Sequence, residues 1–164
     1  MHYDAFLKFE GPSIDGESTD FQHKGEMEIT SLTFGISHAH TIGSATGGGG
    51  LGRAALSEIR ITKEVDKTSA LLFQHCAEGT HFGKVTLTTR RAGGYQVEHM
   101  RLEMQTVMLS SYQLAGSGLG SEVGQEQFVL AVGKLGFDYT PQTEVGAAMA
   151  SLHGGWDVLK NKPC

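Results

Sequence analysis

The chain has 164 residues, 39% of them hydrophobic, with 23 glycines and three prolines. This length and composition suit one domain spanning 1–164 and exclude a disordered or Pro-rich linker protein. Thirteen Lys and Arg stand against 18 Asp and Glu, a net charge of −5 with no basic block, which argues against a nucleic-acid partner. The apolar runs, such as Phe128-Val129-Leu130-Ala131-Val132, fall far short of the ~20 residues a membrane helix needs, so no membrane insertion is expected. The charged first ten residues leave no place for a signal peptide's apolar region, which predicts synthesis in the cytoplasm.

Tyr3 to Phe9 reads as a short strand, and Gly11 to Asp20 as an exposed loop of turn-forming residues. From Glu26 to His38 the alternation changes phase: Met27 and Ile29 share one face, then Leu32, Phe34 and Ile36 take the other parity. That pattern predicts one strand bulged near Gly35, with Leu32, Phe34 and Ile36 in the core. Residues 41–54 hold the run Gly47-Gly48-Gly49-Gly50-Leu51-Gly52, an extended loop too long for a tight hairpin. Ala55 to Val65 follows as a strand with Leu56, Ile59 and Ile61 apolar.

One helix is predicted over 69–78. Ser69 serves as its N-cap, Leu72, Phe73, Cys76 and Ala77 recur at helical spacing, and Gly79 stands at the C′ position. Ten residues are marginal as an isolated helix, so the apolar stripe must dock onto a sheet. Val85 and Leu87 alternate with Lys84, Thr86 and Thr88. Ala92-Gly93-Gly94 turns the chain into a long strand over 96–113, with Met100, Leu102 and Met104 on one face. Gly116 to Gly120 breaks the chain again. Phe128 to Tyr139 is the last long strand, with Phe128, Leu130 and Val132 in one phase and Leu135, Phe137 and Tyr139 in the other, the shift falling beside Gly133. In the C-terminal tail, 141–164, Trp156 to Lys160 has the pattern of a short added strand. The predicted fold is mainly β: an antiparallel, β-barrel-like sheet pair with one flanking α-helix.

Catalytic patterns are weak throughout. His38-Ala39-His40 would present two imidazoles on one strand face, with His75 and His81 as further candidates, but no zinc-type spacing accompanies them and no metal is assigned. The glycine run lacks the Lys-Ser/Thr and following helix of a phosphate loop. Glu26 and Glu28 lie at i, i+2, the pattern of a strand's wet face. Cys76 falls inside the helix facing apolar neighbours, poor placement for a nucleophile, and Cys76 with Cys164 does not suggest a disulfide scaffold. No catalytic residue, metal or cofactor is expected. The rival classes are a histidine-ligated metal hydrolase on a β-barrel and a monomeric barrel that binds a small molecule.

Several segments, in order along nearly the whole chain, carry a resemblance. They are Gly16-Glu17-Ser18-Thr19-Asp20, Gly47 to Gly52, Ile61-Thr62-Lys63-Glu64-Val65-Asp66-Lys67-Thr68-Ser69 with Leu72-Phe73, and Gly79-Thr80-His81-Phe82. Arg90-Arg91-Ala92-Gly93-Gly94, Ser110-Ser111, Tyr139-Thr140-Pro141-Gln142 and Gly155-Trp156-Asp157 complete the series. Together they resemble the haemolysin-coregulated protein (Hcp) family, the tube subunit of the type VI secretion system. Ala70 stands where family helices often have proline, Leu32 where the second strand often has Trp, and Cys164 matches no family feature.

The resemblance implies a structural subunit rather than an enzyme. It implies hexameric rings of identical copies, stacked into a hollow tube that is exported without a signal peptide to the medium or a target cell. It also implies a tip protein, a contractile sheath and small effector proteins as partners, the effectors carried and chaperoned in the ring channel. On that basis Thr33 and Ser37, on the polar parity of the bulged strand, are expected to line the channel. The loop 43–53, with Gly47, Gly48, Gly49, Gly50, Leu51 and Arg53, is expected to be a ring-to-ring stacking arm.

Overall fold

The computed structural model describes residues 3–39, 53–91, 96–116 and 124–164. Its strands are β1 (Tyr3–Glu10), β2 (Met27–Glu28), β3 (Ser31–Thr33), β4 (Ile36–His38), β5 (Ala54–Leu56) and β6 (Ile59–Glu64), then β7 (His81–Arg91), β8 (Glu98–Ala115), β9 (Gln125–Tyr139), β10 (Leu152–Asp157) and β11 (Lys162–Pro163). The helix α1 spans Ser69–Glu78, between β6 and β7.

Among the described residues all pairings are antiparallel, and one sheet of nine strands has seven on its main path, β11-β10-β9-β8-β7-β1-β2, with β6 and β3 branching from β9. The free edge of β9 is shared: its first half pairs with β6 and its second half with β10. β3 pairs in turn with β6. The segment 27–33 therefore leaves β1 at one edge and joins β6 at the other, with Ile29 N–H bonded to Ala5 and Thr30 N–H to Thr62. The sheet curls around its core in the predicted mainly β, barrel-like manner, although the ladder does not close completely. The second sheet of the expected pair is only the two-stranded β4–β5 ribbon.

The core follows the period-two pattern. Leu7 and Phe9 of β1, Ile59 and Ile61 of β6, Phe82, Val85 and Leu87 of β7, Leu102 and Met104 of β8, and Phe128 and Leu130 of β9 are all buried. The inward parity of β9 changes beside Gly133, as expected, from Phe128 and Leu130 to Leu135. A Cβ at Gly133 would stand 3.1 Å from both the Leu159 side chain and Thr106 Cβ, so a larger residue at this crossing would require its neighbours to shift. Across the ladder, β8 changes parity at the same level, from Leu102 and Met104 to Val107 and Leu109. There Thr106 takes φ 54°, a conformation that costs a β-branched residue energy.

Several local expectations are corrected. The strand expected over 26–38 is three short pieces, because it serves β1, β6 and β5 in succession. Leu32 and Phe34 are half-buried against the core, but Ile36 is 57% exposed, since by β4 the chain has left the main sheet. The strand expected over 55–65 is likewise divided into β5 and β6. The loop 11–20 is not simply exposed: Ile14, Gly16 and Ser18 are buried in alternation, and Ile14 bridges to Phe9.

The helix has its predicted bounds, and Gly79 adopts φ 66° while its N–H closes the last turn on Cys76, the left-handed C′ geometry that glycine favours. Thr68 rather than Ser69 occupies the N-cap. Only Leu72 of the proposed stripe is fully buried and Cys76 is half-buried. Phe73 is 63% exposed and Ala77 faces solvent. The tail strand expected over 156–160 is instead Leu152–Asp157, because it follows β9 back from Tyr139 to Lys134, and Val158 to Lys160 form a turn.

Candidate functional site

Two buried charge clusters tie the helix and a loop to the sheet. The first docks α1. Lys63 lies on the inward parity of β6 with its side chain wholly buried, and its ammonium reaches Glu126 of β9 at 2.5 Å and Asp66 at 2.8 Å. Ser69 Oγ donates to Glu126 Oε1 at 3.0 Å, and the Tyr112 hydroxyl donates to the other oxygen of the same carboxylate. One residue from each of β6, β8, β9 and the first turn of α1 thus meets at a single carboxylate. Ser69, turned inward to Glu126, is unavailable as a cap.

Burial, and then the Glu126 carboxylate, push the Tyr112 phenol above its ordinary value. Burial also draws Asp66 upward, but hydrogen bonds from Lys63 and Thr68 outweigh it and leave this carboxyl below the usual range. Charges taken out of water in this way need every partner in place. The four residues meet through long-range pairing, so Glu126 looks like an ordinary strand charge in the sequence. The signal was Lys63 itself, a cation on the same parity as Ile59 and Ile61.

The second cluster pins the loop before β2. Arg90, nearly buried at the end of β7, donates to both oxygens of Asp20, lies 3.4 Å from Asp4 Oδ2, and stacks 5.0 Å above the Phe6 ring. His23 also stacks on Phe6, with the rings near parallel and 4.3 Å between centroids. His23 Nδ1 lies 3.0 Å from Glu26, and its Nε2 is 3.3 Å from Glu98 without an aligned hydrogen bond. The hydrogen bond from Arg90 holds the Asp20 carboxyl below its usual range. Asp20 also accepts the N–H groups of Gln22 and His23, so one carboxylate both shapes and anchors the turn. Two of the resembling segments, Gly16 to Asp20 and Arg90 to Gly94, meet through this ion pair.

Thr33 and Ser37 are both exposed. Thr33 ends β3 opposite Arg60, whereas Ser37 lies on β4 opposite Ala55, so they belong to different sheets. Gly47, Gly48, Gly49, Gly50 and Leu51 fall outside the described residues. Arg53, exposed, immediately precedes β5. The β4–β5 ribbon flanks that segment in sequence, and its two arms are tied together just before β4 and after β5, where Ser57 N–H and Oγ both donate to the Gly35 carbonyl at 2.8 Å. Beside it an apolar groove of about 290 Å³ runs between Phe34, Ile36, Leu56, Phe137 and Trp156.

The histidines considered as metal ligands are not gathered by the described fold. His38 is on β4, His40 lies outside the described residues, His75 Nδ1 contacts Thr80 Oγ1 at 2.9 Å, and His81 starts β7 in an exposed position. Among the described residues no group of three or more His, Cys, Asp or Glu is arranged to hold a metal ion. Cys76 and Cys164 are free thiols, the first 3.7 Å from the Leu109 carbonyl. No helix among the described residues is long and apolar enough to cross a membrane.

This arrangement has close counterparts. Residues 6–139 match the family model described as type VI secretion system effector, Hcp. The chain is 32% identical over 163 residues to protein hcp1 of Pseudomonas aeruginosa, covering 98% of each. It superposes on a solved type six secretion system protein with a TM-score of 0.92 at 30% identity, covering 99% of this chain and all of the other. On Hcp1 from Salmonella typhimurium the TM-score is 0.77 at 27% identity, covering both chains fully. With the curled sheet, the single docked helix and the match along nearly the whole length in agreement, the chain belongs to the Hcp family, the secreted, β-rich structural proteins of type VI secretion.

Proposed function

We propose that this protein is a tube subunit: copies associate head to tail into hexameric rings, the rings stack into a hollow tube, and the tube is exported with small effector proteins in its channel. The observation that carries this reading is the family match over 6–139 together with 98% coverage of a curated Hcp relative. The surface is consistent with it. Short edge strands leave unpaired backbone groups for a neighbour to cover, and apolar side chains such as Ile36 stay exposed beside a groove. Self-association through different patches on each copy produces a ring if the rotation closes.

Within that reading, Thr33 and Ser37 face the channel, where small hydroxyl side chains keep the lumen wet and open, and Arg53 with the preceding glycine-rich segment forms the stacking arm. Tip protein and sheath are the further partners of the assembled tube. Negative-stain electron microscopy of the purified protein tests the proposal: annular particles with a central hole are expected, and a monomer at every concentration would overturn it. Thr33→Glu is expected to weaken cargo retention with rings intact. Deleting Gly47 to Gly50 is expected to leave single rings but reduce stacking.

A further inference from the structure

A thiol, an imidazole and a carboxylate meet where β9, β10 and β11 run side by side. Asp138 of β9 and His153 of β10 stand directly opposite each other across the ladder, and His153 Nδ1 lies 2.7 Å from Asp138 Oδ1. β11 brings the chain back along β10, and Cys164 N–H donates to the Gly155 carbonyl. The return passes close over Gly155: a Cβ there would stand 2.9 Å from Cys164 Sγ and 3.1 Å from His153 Nε2. Sulfur and nitrogen therefore bracket one point above bare glycine backbone. The thiol is exposed and lies 3.8 Å from the Leu135 carbonyl. Cys76, by contrast, is half-buried beneath α1.

The imidazole sits where a protonated ring is favoured. Its Nε2 lies 2.8 Å from the Cys164 carbonyl, so its two nitrogens face a carbonyl and a carboxylate. Both contacts are hydrogen bonds only when each nitrogen carries a hydrogen. The Cys164 carbonyl, then Asp138, hold His153 above the ordinary imidazole value. Around the three residues stand Arg101 and Glu103 of β8, opposite Asp138 and Gly136, and the exposed Lys162 of β11.

We propose that Cys164 is a modification site, a thiol that exchanges with small disulfides of the cystine or glutathione disulfide class, with His153 as its base and Asp138 as the residue that orients the ring. In the reactive form the thiol proton rests on His153, held between the Asp138 carboxylate and the Cys164 carbonyl. The sulfur anion attacks one sulfur of the disulfide, a new S–S bond to Cys164 forms as the old one breaks, and the departing thiolate takes the proton from the ring. The small disulfide is itself the oxidant. The site is complete within one chain, so it stands independently of the tube reading.

Reaction with the aromatic disulfide dithiobis(nitrobenzoate), with the labelled cysteines identified by peptide mass mapping, tests this on the wild-type protein. Cys164 is expected to react faster than Cys76, and about tenfold faster in the folded protein than in the same chain unfolded in urea, where exposure alone would give the opposite order. His153→Gln is expected to abolish the excess in the folded protein and leave the rate in urea unchanged; Asp138→Asn is expected to abolish part of it. Both positions are at the surface, and unchanged thermal unfolding verifies that each variant folds. A folded Cys164 that reacts no faster than the unfolded chain, or a rate unmoved by His153→Gln, would overturn the proposal. Incubation with glutathione disulfide is expected to add one glutathionyl group, at Cys164; two chains joined through Cys164 in its place would overturn the small-disulfide assignment. Neither result bears on whether rings form, which electron microscopy decides separately.

Discussion

The two buried charge clusters do different work with similar chemistry. Around Glu126 the charges are dry: Lys63 and Glu126 have wholly buried side chains, and their partners come from three strands and the helix. Around Arg90 the cation is buried but its carboxylates are part-exposed, and its partners are a loop, the neighbouring strand β1 and an aromatic face. The first cluster fixes one element against the sheet, where losing a partner strands a charge in the core. The second ties down a loop, where water can take a lost partner's place.

The contrast predicts a graded response. Lys63→Met is expected to be the most damaging, by about 3–5 kcal/mol, because it leaves Glu126 buried without its cation. Adding Glu126→Leu should recover much of that loss in urea unfolding; a double variant as unstable as the single would show that the pair is not what binds the helix. Arg90→Ala is expected to cost less, about 1.5–3 kcal/mol, and to expose residues 15–24 to limited proteolysis. Cleavage unchanged from the wild type would remove Arg90 as the anchor of that loop.

Acid acts on the same pairing. Because Arg90 depresses the Asp20 carboxyl, its contribution is present above the ordinary carboxylate value and is lost as pH falls through the depressed one. Arg90→Ala should therefore flatten acid unfolding in that range. Equal slopes in both proteins would refute the linkage.

Two histidines sharpen the comparison further. Hydrogen bonds to the Cys164 carbonyl and then to Asp138 raise His153, so its stabilisation is present below the ordinary imidazole value and fades as pH rises through the raised one. Burial, and then Arg91, lower His99, so its neutral ring favours the fold above the ordinary value and that contribution is lost as pH falls through the lowered one. Titrating both rings by NMR should place His153 above His99; the reverse order would contradict both environments. The smallest effect is expected from Thr106→Gly, a gain of about 1 kcal/mol from relieving the positive φ, visible as a small rise in thermal midpoint.

The helix was legible because its cues are local: spacing within ten residues and a glycine immediately after it. The parity change at Gly133 was legible for the same reason. Its counterpart at Thr106 was not, since a threonine gives no warning of a positive φ, and the matching shift in β8 arises from facing Gly133 across the ladder. Ile36 was misplaced because alternation tells two faces apart without saying which sheet, if any, covers them. The burial of Lys63 and Arg90 is not written locally, because a cation on a strand is ordinarily solvated, and only Glu126 and Asp20, distant in sequence, make burial tolerable. Of the candidate assembly residues, Thr33 and Ser37 are exposed but lie on different sheets, a separation that alternation along one segment does not reveal.

The amino-acid order alone determined the mainly β character, the position of the one helix, the turns and the family, because these depend on side-chain period and on short segments that survive independently of their surroundings. Tertiary structure alone decided which parity faced inward at each bend, which charges entered the core and which apolar side chains stayed outside. Those outcomes depend on partners brought together by strand pairing, and the free energy of burying a charge or leaving a phenylalanine in water belongs to the pair and not to either residue.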